Sequence, residues 1–372
     1  MKPMLVLGIM SGTSIDGVDY TLCEVEREAV RLIQHWSRAF PKTLQRRLHA
    51  AAANECDAHE LAQVHHDLGR LYARQAAQLP ARFDLVGLHG QTIFHHPDQR
   101  TPATLQIGEP AYLAEALRVP VVSNFRVADL AVGGQGAPLA TLFHQIVFAQ
   151  RGQHVCVNNL GGISNVTSLD WRTGRAPHVL AFDTGPANVL IDLAMREFTA
   201  DRQTFDRHGA WAKQGTVHEP LLTRWLAHPF FKVKPPKSTG RERFGESFWR
   251  AQQKCLRAAR LSKFDVIATL TEFTARSLAL NYRLHLTSHP DTVVLCGGGV
   301  KNSALRANLG TALRGLNPEV QLSTSDDYGW PASAIEPAAF ALLAYYRWRD
   351  WPANLPATTG ANRAVLLGQI TG

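Results

Sequence analysis

The segment MSGTSIDGVDY, residues 10–20, follows the short apolar run of residues 4–9 and brings two glycines and several small polar side chains into one tight turn. A second apolar alternation, residues 18–25, begins where the turn ends. Two such runs joined by a glycine turn predict a β-hairpin. Glycine lets the backbone approach a ligand closely, and successive N–H groups in a turn can bind an anion. This hairpin is therefore suited to hold a phosphate group.

Two further glycine turns repeat this pattern. Residues 154–169, HVCVNNLGGISNVTSL, again read as strand, turn and strand, and residues 292–305, TVVLCGGGVKNSAL, read as a strand, a turn and a helix. We interpret the two hairpins as the starts of two related lobes that direct backbone turns at one ligand. The third turn, at a helix N-terminus, suits the α-phosphate or the nucleoside end. Taken singly, each turn fits an ordinary hairpin or helix cap equally well.

Composition limits the function classes. The length of 372 residues suggests two domains, and the sequence has no apolar run near the roughly 18 residues that a membrane span needs. The five cysteines are scattered and form no C-x-x-C, which favours reduced thiols in a cytoplasmic protein. The net charge of +8, from 39 basic and 31 acidic residues, is dispersed. We therefore expect neither a nucleic-acid partner nor a membrane partner.

Strand-like and helix-like patterns alternate along the chain, which predicts an α/β protein with mixed sheets. The predicted strands are residues 4–9, 18–25, 85–88, 119–123, 155–160, 179–182 and 292–296. The predicted helices are residues 58–79, 110–117, 187–198, 248–259, 266–285 and 337–349. The proline-rich stretch 232–248 is the longest irregular segment, and it is interpreted as a surface lid or a hinge.

Several long segments resemble one family, the anhydro-N-acetylmuramic acid kinases of the actin-like sugar kinase and heat-shock ATPase superfamily. The resemblance runs nearly end to end. It rests on GIMSGTSIDGVD (8–19), GLHGQTIFHHP (87–97), TLQIGEP (104–110), NFRVADLAVGGQGAPL (124–139), NNLGGISNVT (158–167), FDTGPANVLID (182–192), PPKSTGRERF (235–244), LTEFTARS (270–277) and CGGGVKNS (296–303).

The resemblance implies a fold and a reaction. The fold would be α/β, with two actin-like (ribonuclease H-like) lobes of mixed sheets flanked by helices and with nucleotide and sugar in the cleft between them. The N-terminal lobe would comprise residues 1–127 joined by 355–372, and the C-terminal lobe residues 128–354. Such enzymes use ATP and Mg²⁺ to open the 1,6-anhydro ring of 1,6-anhydro-N-acetylmuramic acid with water and to phosphorylate O6, during peptidoglycan (cell-wall) recycling. They are cytoplasmic and usually homodimeric.

Asp183 is the candidate catalytic residue. It lies in AFDTGPAN, after an apolar strand and before a turn that leads into a helix, so the pattern predicts a carboxylate at the carboxyl end of a strand, where α/β proteins bind ligands. The sequence alone is equally compatible with an aspartate that caps the following helix. The resemblance implies that Asp183 is the general base that takes a proton from the attacking water.

The expected nucleotide site comprises the three glycine turns. Its residues are Gly12, Thr13, Ser14, Ile15, Asp16, Gly17, Val18, Asp19, Gly161, Gly162, Gly297, Gly298 and Gly299. The first turn would cradle the β- and γ-phosphates, the second would oppose it, and the third would lie under the adenosine and α-phosphate. Asp16 is also the candidate ligand of Mg²⁺ through water, although an Asx-type turn residue fits the same position.

Four residues are candidates for sugar binding: Arg126, Asn159, Glu336 and His89. The Arg126 guanidinium matches a carboxylate such as that of the lactyl group, but a solvated surface arginine, or one paired with Asp129, fits as well. Glu336 closes SAIE (333–336), which is a capping-box pattern, whereas the resemblance implies a sugar contact. His89 is interpreted as part of the wall of the cleft rather than as a metal ligand.

The sequence departs from the family and superfamily patterns at three places. Met10 stands where most superfamily members have an aspartate, Ala187 replaces the glycine that usually follows DTGP, and Trp330-Pro331 stands where small or acidic residues are expected. These departures concern the local geometry of the phosphate turn, of the turn after Asp183 and of the approach to Glu336.

Two other functions fit the same expected fold. An ordinary hydroxyl-directed sugar kinase would use Asp183 to deprotonate a sugar hydroxyl instead of water. A nucleotide-dependent chaperone or filament protein is also compatible with such lobes. A chaperone would need a peptide-binding domain after the ATPase, and a filament protein would polymerise when ATP is added.

Overall fold

The computed structural model describes residues 2–97 and 100–372, which form two compact units. The first unit comprises Met1–Val147 and Gly329–Gly372, and the second comprises Phe148–Tyr328. The boundaries that the resemblance implies, after residues 127 and 354, differ from this division. The chain returns to the first unit at Gly329, before the expected residue 355, and this second segment includes a long apolar helix, residues 332–348, that packs on the first sheet.

The elements alternate along the chain as the sequence predicts. The strands are β1 (Met4–Ser11), β2 (Gly17–Val25), β3 (Val30–Ala39), β4 (Leu85–His96), β5 (Ala103–Ile107), β6 (Val121–Ser123), β7 (His154–Leu160), β8 (Ile163–Asp170), β9 (His178–Pro186), β10 (Thr292–Cys296), β11 (Gln321–Thr324) and β12 (Gln369–Thr371). The helices are α1 (Lys42–Ala52), α2 (Ala58–Ala77), α3 (Ala111–Leu117), α4 (Val127–Leu130), α5 (Thr141–Phe148), α6 (Val189–Thr199), α7 (Glu219–Leu226), α8 (Arg241–Phe244), α9 (Glu246–Ala258), α10 (Lys263–His285), α11 (Ser303–Arg314), α12 (Ala332–Trp348) and α13 (Pro356–Thr359).

The first unit is built on a mixed sheet in the order β12-β6-β4-β1-β2-β3, with β5 paired to β4. β1 is antiparallel to β2 and parallel to β4. α12 lies so close to this sheet that a Cβ at Gly8 or Gly87 would overlap the carbonyl groups of Pro337 or Phe340. Glycine at these two positions therefore lets the helix backbone reach the strands, and this contact fixes the start of α12 relative to β1.

The second unit is built on a mixed sheet in the order β11-β10-β7-β8-β9. β10 is parallel to β7, and β8 is antiparallel to both β7 and β9. α10 begins at a capping box formed by Ser262 and Asp265 and buries most of its apolar side chains. It also fixes the end of β9, because Thr274 Oγ1 donates to Ala187 O at 2.9 Å and Asn281 Nδ2 donates to Thr184 O at 2.8 Å.

The α/β class with two mixed sheets flanked by helices is confirmed, as are the hairpins β1–β2 and β7–β8. The prediction for α12 was wrong at its start, because the helix begins at Ala332 and continues through Pro337. Burial of Ala334 and Ile335 stabilises the turn that precedes this proline. No helix in the described ranges combines the length and apolar character needed to cross a membrane.

Candidate functional site

The turn of the first hairpin has the backbone arrangement expected of an anion-binding loop. Ile15 N and Gln91 Nε2 both donate to Gly12 O, each at 3.1 Å. Because the Gly12 carbonyl is held in this direction, the N–H of Thr13 in the same peptide points the opposite way. Gly12 does not have a positive φ, whereas Ile15 does, at 55°. A Cβ at Gly12 would meet only Ser14 Oγ, at 3.7 Å, so neither packing nor backbone angles require this glycine, and it leaves space for a ligand beside the turn.

The later part of the expected phosphate segment belongs to β2. Gly17 opens that strand, and a Cβ there would meet Arg38 O of β3, so this glycine allows the two strands to approach. Val18 is buried in the core of the first unit. The exposed backbone available to a ligand is thus confined to residues 12–16.

Two carboxylates lie at the end of this turn. Asp16 is exposed and accepts a hydrogen bond from Ser14 Oγ at 2.8 Å, while Asp19 is half-buried and accepts one from Ser37. Burial raises the pKa of Asp19, and the nearby charge of Asp16 adds to this rise. Mg²⁺ is usually held by one or two carboxylates together with phosphate oxygens and waters. These two side chains fit such an ion beside a bound phosphate.

Gln91 is a residue that the sequence reasoning missed. Its side chain is fully buried and its Nε2 supports the Gly12 carbonyl, but Oε1 has no hydrogen-bond partner in the described part of the chain. A buried acceptor without a donor is costly unless a ligand or water satisfies it. Its position in HGQT, within a quoted family segment, was the available signal.

Arg126 is held in place by its neighbours. Its Nε and Nη2 donate to His89 Nε2 at 3.2 and 2.9 Å, and its Nη1 donates to Gly136 O at 2.6 Å. The side chain is half-buried, so the interpretation as a solvated surface arginine was wrong. Asp129, the suggested partner, is fully buried and instead accepts from Gly136 N at 2.8 Å. Protons on both terminal nitrogens remain available to an anion.

His89 orients Arg126 through a hydrogen bond and has no free ring nitrogen with which to bind a ligand. Its Nδ1 lies 2.8 Å from Gly90 O and donates to it, which leaves Nε2 as the acceptor for Arg126. Burial, reinforced by the Arg126 charge, lowers the pKa of His89 well below its usual value, so the ring is neutral. Both nitrogens of this candidate sugar-binding residue are thus engaged within the first unit.

Glu336 projects from the second turn of α12. The capping-box interpretation was wrong, because the helix N-cap is Pro331 and no side-chain cap bond forms. Desolvation by the surrounding protein raises the pKa of Glu336. The positive charge of Arg126 opposes this rise, and the negative charge of Asp19 adds to it. Arg126, Asp19 and Glu336 therefore share one charged region of the first unit, where Glu336 is surrounded by protein although part of its side chain still meets solvent.

In the second unit, the turn between β7 and β8 mirrors the first. Gly161 O accepts from Asn188 N at 3.1 Å, and Gly162 O accepts from Ala187 N and Val189 N at 2.9 and 3.1 Å. With these carbonyls directed at the start of α6, the N–H groups of Gly162 and Ile163 point the other way. The second turn therefore also presents backbone donors on its free side.

The third glycine turn divides into packing and open positions. A Cβ at Gly297, which has a φ of 83°, would overlap Asn159 Oδ1, and one at Gly299 would crowd Leu160 and Asn188. Asn159, a candidate for sugar binding, thus packs against this turn. Gly298 is exposed, and a Cβ there would meet no atom within 4 Å. Only Gly298 is free to approach a ligand without serving the fold.

This division predicts different effects of alanine at neighbouring positions. Gly298→Ala should leave the melting temperature almost unchanged and weaken ATP binding several-fold. Gly297→Ala and Gly299→Ala should each destabilise the fold by about 1–3 kcal/mol, because the added methyl groups overpack the turn. Thermal unfolding and calorimetric titration with a non-hydrolysable ATP analogue measure both effects. Equal destabilisation by all three substitutions would contradict the assignment.

Asp183 lies within β9, opposite Asn165 of β8, three residues before the strand ends. The helix-cap alternative was wrong, because the N-cap of α6 is Asn188. Asp183 N donates to Lys237 O at 3.0 Å, and Asp183 Oδ2 accepts from Thr239 N at 2.8 Å. No described residue donates to Oδ1. The carboxylate is therefore held by one oxygen and can accept a proton at the other.

The surroundings of Asp183 tune it toward a base that works near neutral pH. Burial raises the pKa of Asp183 to about 7; the Thr239 N–H opposes this rise, Glu242 adds to it, and Lys237 opposes it. A general base is most effective when its pKa lies near the working pH. The Thr239 Oγ1 is buried beside this carboxylate with no hydrogen-bond partner in the described residues, so it can bind water or substrate.

The proline-rich stretch, residues 232–248, binds β9 beside Asp183, and its role as a surface lid or a hinge stays a prediction. Phe230 and Phe231, just before this stretch, and Phe244 within it belong to the core of the second unit, and its residues 237–239 bind Asp183. Apolar burial on both sides of the two prolines thus fixes the segment. Lys237 and Thr239 are functional candidates that we did not predict, since a lysine in such a loop is normally exposed to solvent.

The family model and the curated relatives agree on one family. Residues 4–372 match the family model described as anhydro-N-acetylmuramic acid kinase. Similar curated proteins include the anhydro-N-acetylmuramic acid kinases of Picosynechococcus sp. and Gloeobacter violaceus, each 42% identical, with 99% or more of this chain and 99% of theirs covered. Among solved structures, a Streptomyces griseus ROK family glucokinase in complex with glucose and AMPPNP matches with a TM-score of 0.38 and 14% identity, covering 91% of this chain and 97% of its own.

Proposed function

Because this chain belongs to the anhydro-N-acetylmuramic acid kinase family, we propose that it is an ATP-dependent kinase that opens the 1,6-anhydro ring of 1,6-anhydro-N-acetylmuramic acid. Water adds at C1, the bond from C1 to O6 breaks, and O6 receives the γ-phosphoryl group of ATP. The products are N-acetylmuramic acid 6-phosphate and ADP. The general role of the family places this reaction in the recycling of peptidoglycan.

Asp183 is the observation that carries this proposal. The attacking water must lose a proton as it bonds to C1, and a half-buried carboxylate with one free oxygen and a pKa of about 7 is suited to take it. As the bond from C1 breaks, O6 gains the electron pair with which it attacks phosphorus, while ADP leaves. Phosphoryl transfer needs little further covalent help from the protein, so positioning and charge neutralisation supply the rest.

The phosphates are assigned to the glycine turns. In the first unit, the backbone N–H of Thr13 and its exposed neighbours face away from the bonded Gly12 carbonyl and can donate to phosphate oxygens. Asp16, with Asp19 close by, would hold Mg²⁺, which when bound supplies positive charge at the phosphates. Gly162 of the second unit contributes a comparable set of backbone donors.

The sugar contacts are assigned to the charged region of the first unit. Arg126 keeps protons free on its terminal nitrogens, so it can bind the lactyl carboxylate end-on, with His89 holding the guanidinium at its side. Glu336 can accept from sugar hydroxyls. Asn159 keeps a supporting role at the third glycine turn.

The setting of the enzyme follows from the family and from its cysteines. We place it in the cytoplasm, where its five cysteines, of which Cys23, Cys156 and Cys296 are buried, would stay reduced. A homodimer is the expected assembly, and ATP and the anhydro-sugar are the expected partners. Sedimentation at several protein concentrations tests the dimer.

ADP release tests the substrate directly. With ATP and Mg²⁺, purified protein should release ADP when 1,6-anhydro-N-acetylmuramic acid is present. It should release ADP only slowly with N-acetylmuramic acid, which lacks the 1,6-anhydro bridge. An ordinary hydroxyl-directed kinase should use N-acetylmuramic acid at least as well as the anhydro-sugar. A preference for N-acetylmuramic acid would overturn the proposal.

The pKa of Asp183 also predicts a pH profile. The base must be ionised, so kcat/KM should fall as the pH drops through about 7. Glu242, an exposed carboxylate whose charge raises the pKa of Asp183, can be neutralised without loss of fold. Glu242→Gln should therefore shift the acid limb to lower pH. The matched control is Glu246→Gln, which removes an exposed charge from the adjacent helix and should leave the limb in place. An acid limb unmoved by Glu242→Gln would argue against Asp183 as the titrating base.

A further inference from the structure

The side chain of Lys237 is buried in the second unit, with only 6% of its surface exposed. Its ammonium group donates to Asn281 Oδ1 at 2.6 Å and to the carbonyl oxygens of Phe230 and Phe231 at 3.3 and 3.4 Å. Three N–H donors thus meet three oxygen acceptors. This match is the arrangement required to keep a charged lysine inside a protein.

The charge of Lys237 is not neutralised by a contacting carboxylate, since no ion pair in the described ranges includes it. Its Nζ lies 4.6 Å from the Phe230 ring centroid and 3.1 Å from Nε2 of His285. His285 is neutral, because burial lowers its pKa, and its Nε2 donates to Phe231 O at 2.8 Å. A buried ammonium without a counter-ion costs stability. A hydrophobic residue would serve a purely structural role at lower cost.

Lys237 is connected to Asp183 along two routes. Directly, Lys237 O accepts from Asp183 N at 3.0 Å, and two residues later Thr239 N donates to the Asp183 carboxylate at 2.8 Å. Indirectly, Asn281, which accepts from the ammonium, donates its Nδ2 to Thr184 O at 2.8 Å. One side chain therefore anchors both the segment that binds Asp183 and the residue that follows Asp183 in β9.

We propose that Lys237 is a positioning residue for Asp183, which fixes residues 237–239 against β9 and supplies a buried positive charge that favours the ionised carboxylate. This inference rests on the proposed function, because it gives Asp183 the role of general base. The charge acts in the direction needed: burial raises the pKa of Asp183, and the Lys237 charge opposes this rise. Burial lowers the pKa of Lys237 to about 8, and the Asp183 carboxylate opposes this fall, so the ammonium stays charged at neutral pH. Lys237 thus offsets part of the burial that would otherwise keep Asp183 protonated at neutral pH.

The test is the pH dependence of kcat/KM in Lys237→Met, which keeps the length of the side chain and removes its charge. Without the ammonium, the pKa of Asp183 rises, so the acid limb should move up by about one pH unit and activity at pH 7 should fall roughly fivefold, with recovery toward pH 9. The KM for ATP should stay within about twofold. Lys237→Gln, whose amide can still donate to Asn281 Oδ1, should show the same shift and provides the profile if the methionine variant does not fold.

The matched control is Lys234→Met, which removes an exposed lysine from the same stretch and should leave the acid limb unchanged. A merely structural Lys237 would lower the melting temperature and the rate equally at every pH. Such a uniform loss, or an unmoved limb in a folded variant, would overturn this inference while leaving the function intact. If the proposed base were wrong, Asp183→Asn would retain activity and Glu242→Gln would not move the limb either.

Discussion

Asp183→Asn should lower turnover by about 10²–10⁴-fold, or roughly 3–5 kcal/mol in the barrier, while ATP and sugar bind almost as before. The amide keeps the shape of the side chain and can still accept from Thr239 N, but it cannot take a proton from water. The interaction that is lost belongs to the transition state, so kcat should fall and KM should change little. Steady-state kinetics with both substrates measures this split.

The same variant should lose turnover without losing stability. Since burial raises the pKa of Asp183 to about 7, the folded protein binds this proton more tightly than the unfolded chain, so this carboxyl lowers stability as the pH rises from about 4 to about 7. Asp183→Asn should therefore melt at an equal or higher temperature at pH 8 and show little difference near pH 4, where the carboxyl is largely protonated in both states. Asp192→Asn is the matched control, because burial raises the pKa of Asp192 to about 7 as well, and it should leave turnover within a few-fold. Turnover of Asp183→Asn within a few-fold of the parent would end its assignment as the base.

Gly12→Val should weaken ATP binding by at least about 100-fold, roughly 3 kcal/mol. A Cβ at Gly12 would meet only Ser14 Oγ, at 3.7 Å, so the fold has room for the side chain. The branched group would instead occupy the space in which phosphate oxygens approach the backbone N–H groups. Gly162→Val should have a comparable effect in the second unit, where the nearest atom to a Cβ is that of Val189 at 3.9 Å.

Titration calorimetry with a non-hydrolysable ATP analogue measures this loss, and the melting temperature without nucleotide serves as its control. Gly12→Ala should give a smaller loss of affinity than Gly12→Val, because the methyl group fills less of the space. Near-parent affinity in both valine variants would remove the phosphate-binding role of these turns. Loss of affinity accompanied by unfolding would show that the turns serve the fold instead.

Much of the fold could be predicted because local signals and packing agree. The strand at residues 292–296 and the helix that begins at Ala58 are both bounded by clear turn residues, and the structure has them at those positions. β3 was missed because an edge strand with mostly exposed side chains lacks the apolar alternation that indicates a strand. The start of α12 was misplaced because Pro337 is normally a first-turn residue, and only tertiary packing on Gly8 explains its place inside the helix.

The glycine turns and the aspartate of the candidate site were predicted from the sequence, whereas the residues that hold them in place were not. Glycine turns and an aspartate after a strand are visible in sequence, since they depend on neighbouring residues. Lys237 and Gln91 are not visible in this way, because each acts across the fold on a residue far along the chain. The capping alternatives for Asp183 and Glu336 failed for a related reason: a cap depends on where the helix starts, and the two helices start at Val189 and Ala332.

The mass of the phosphorylated product tests the central claim most directly. Incubation of the protein with ATP, Mg²⁺ and 1,6-anhydro-N-acetylmuramic acid, followed by mass spectrometry, distinguishes hydrolysis coupled to phosphorylation from phosphorylation alone. The account predicts a product heavier than the substrate by one water and one phosphoryl group, and in ¹⁸O-labelled water the added oxygen should carry the label. A product heavier by the phosphoryl group alone, with the anhydro ring intact, would contradict it.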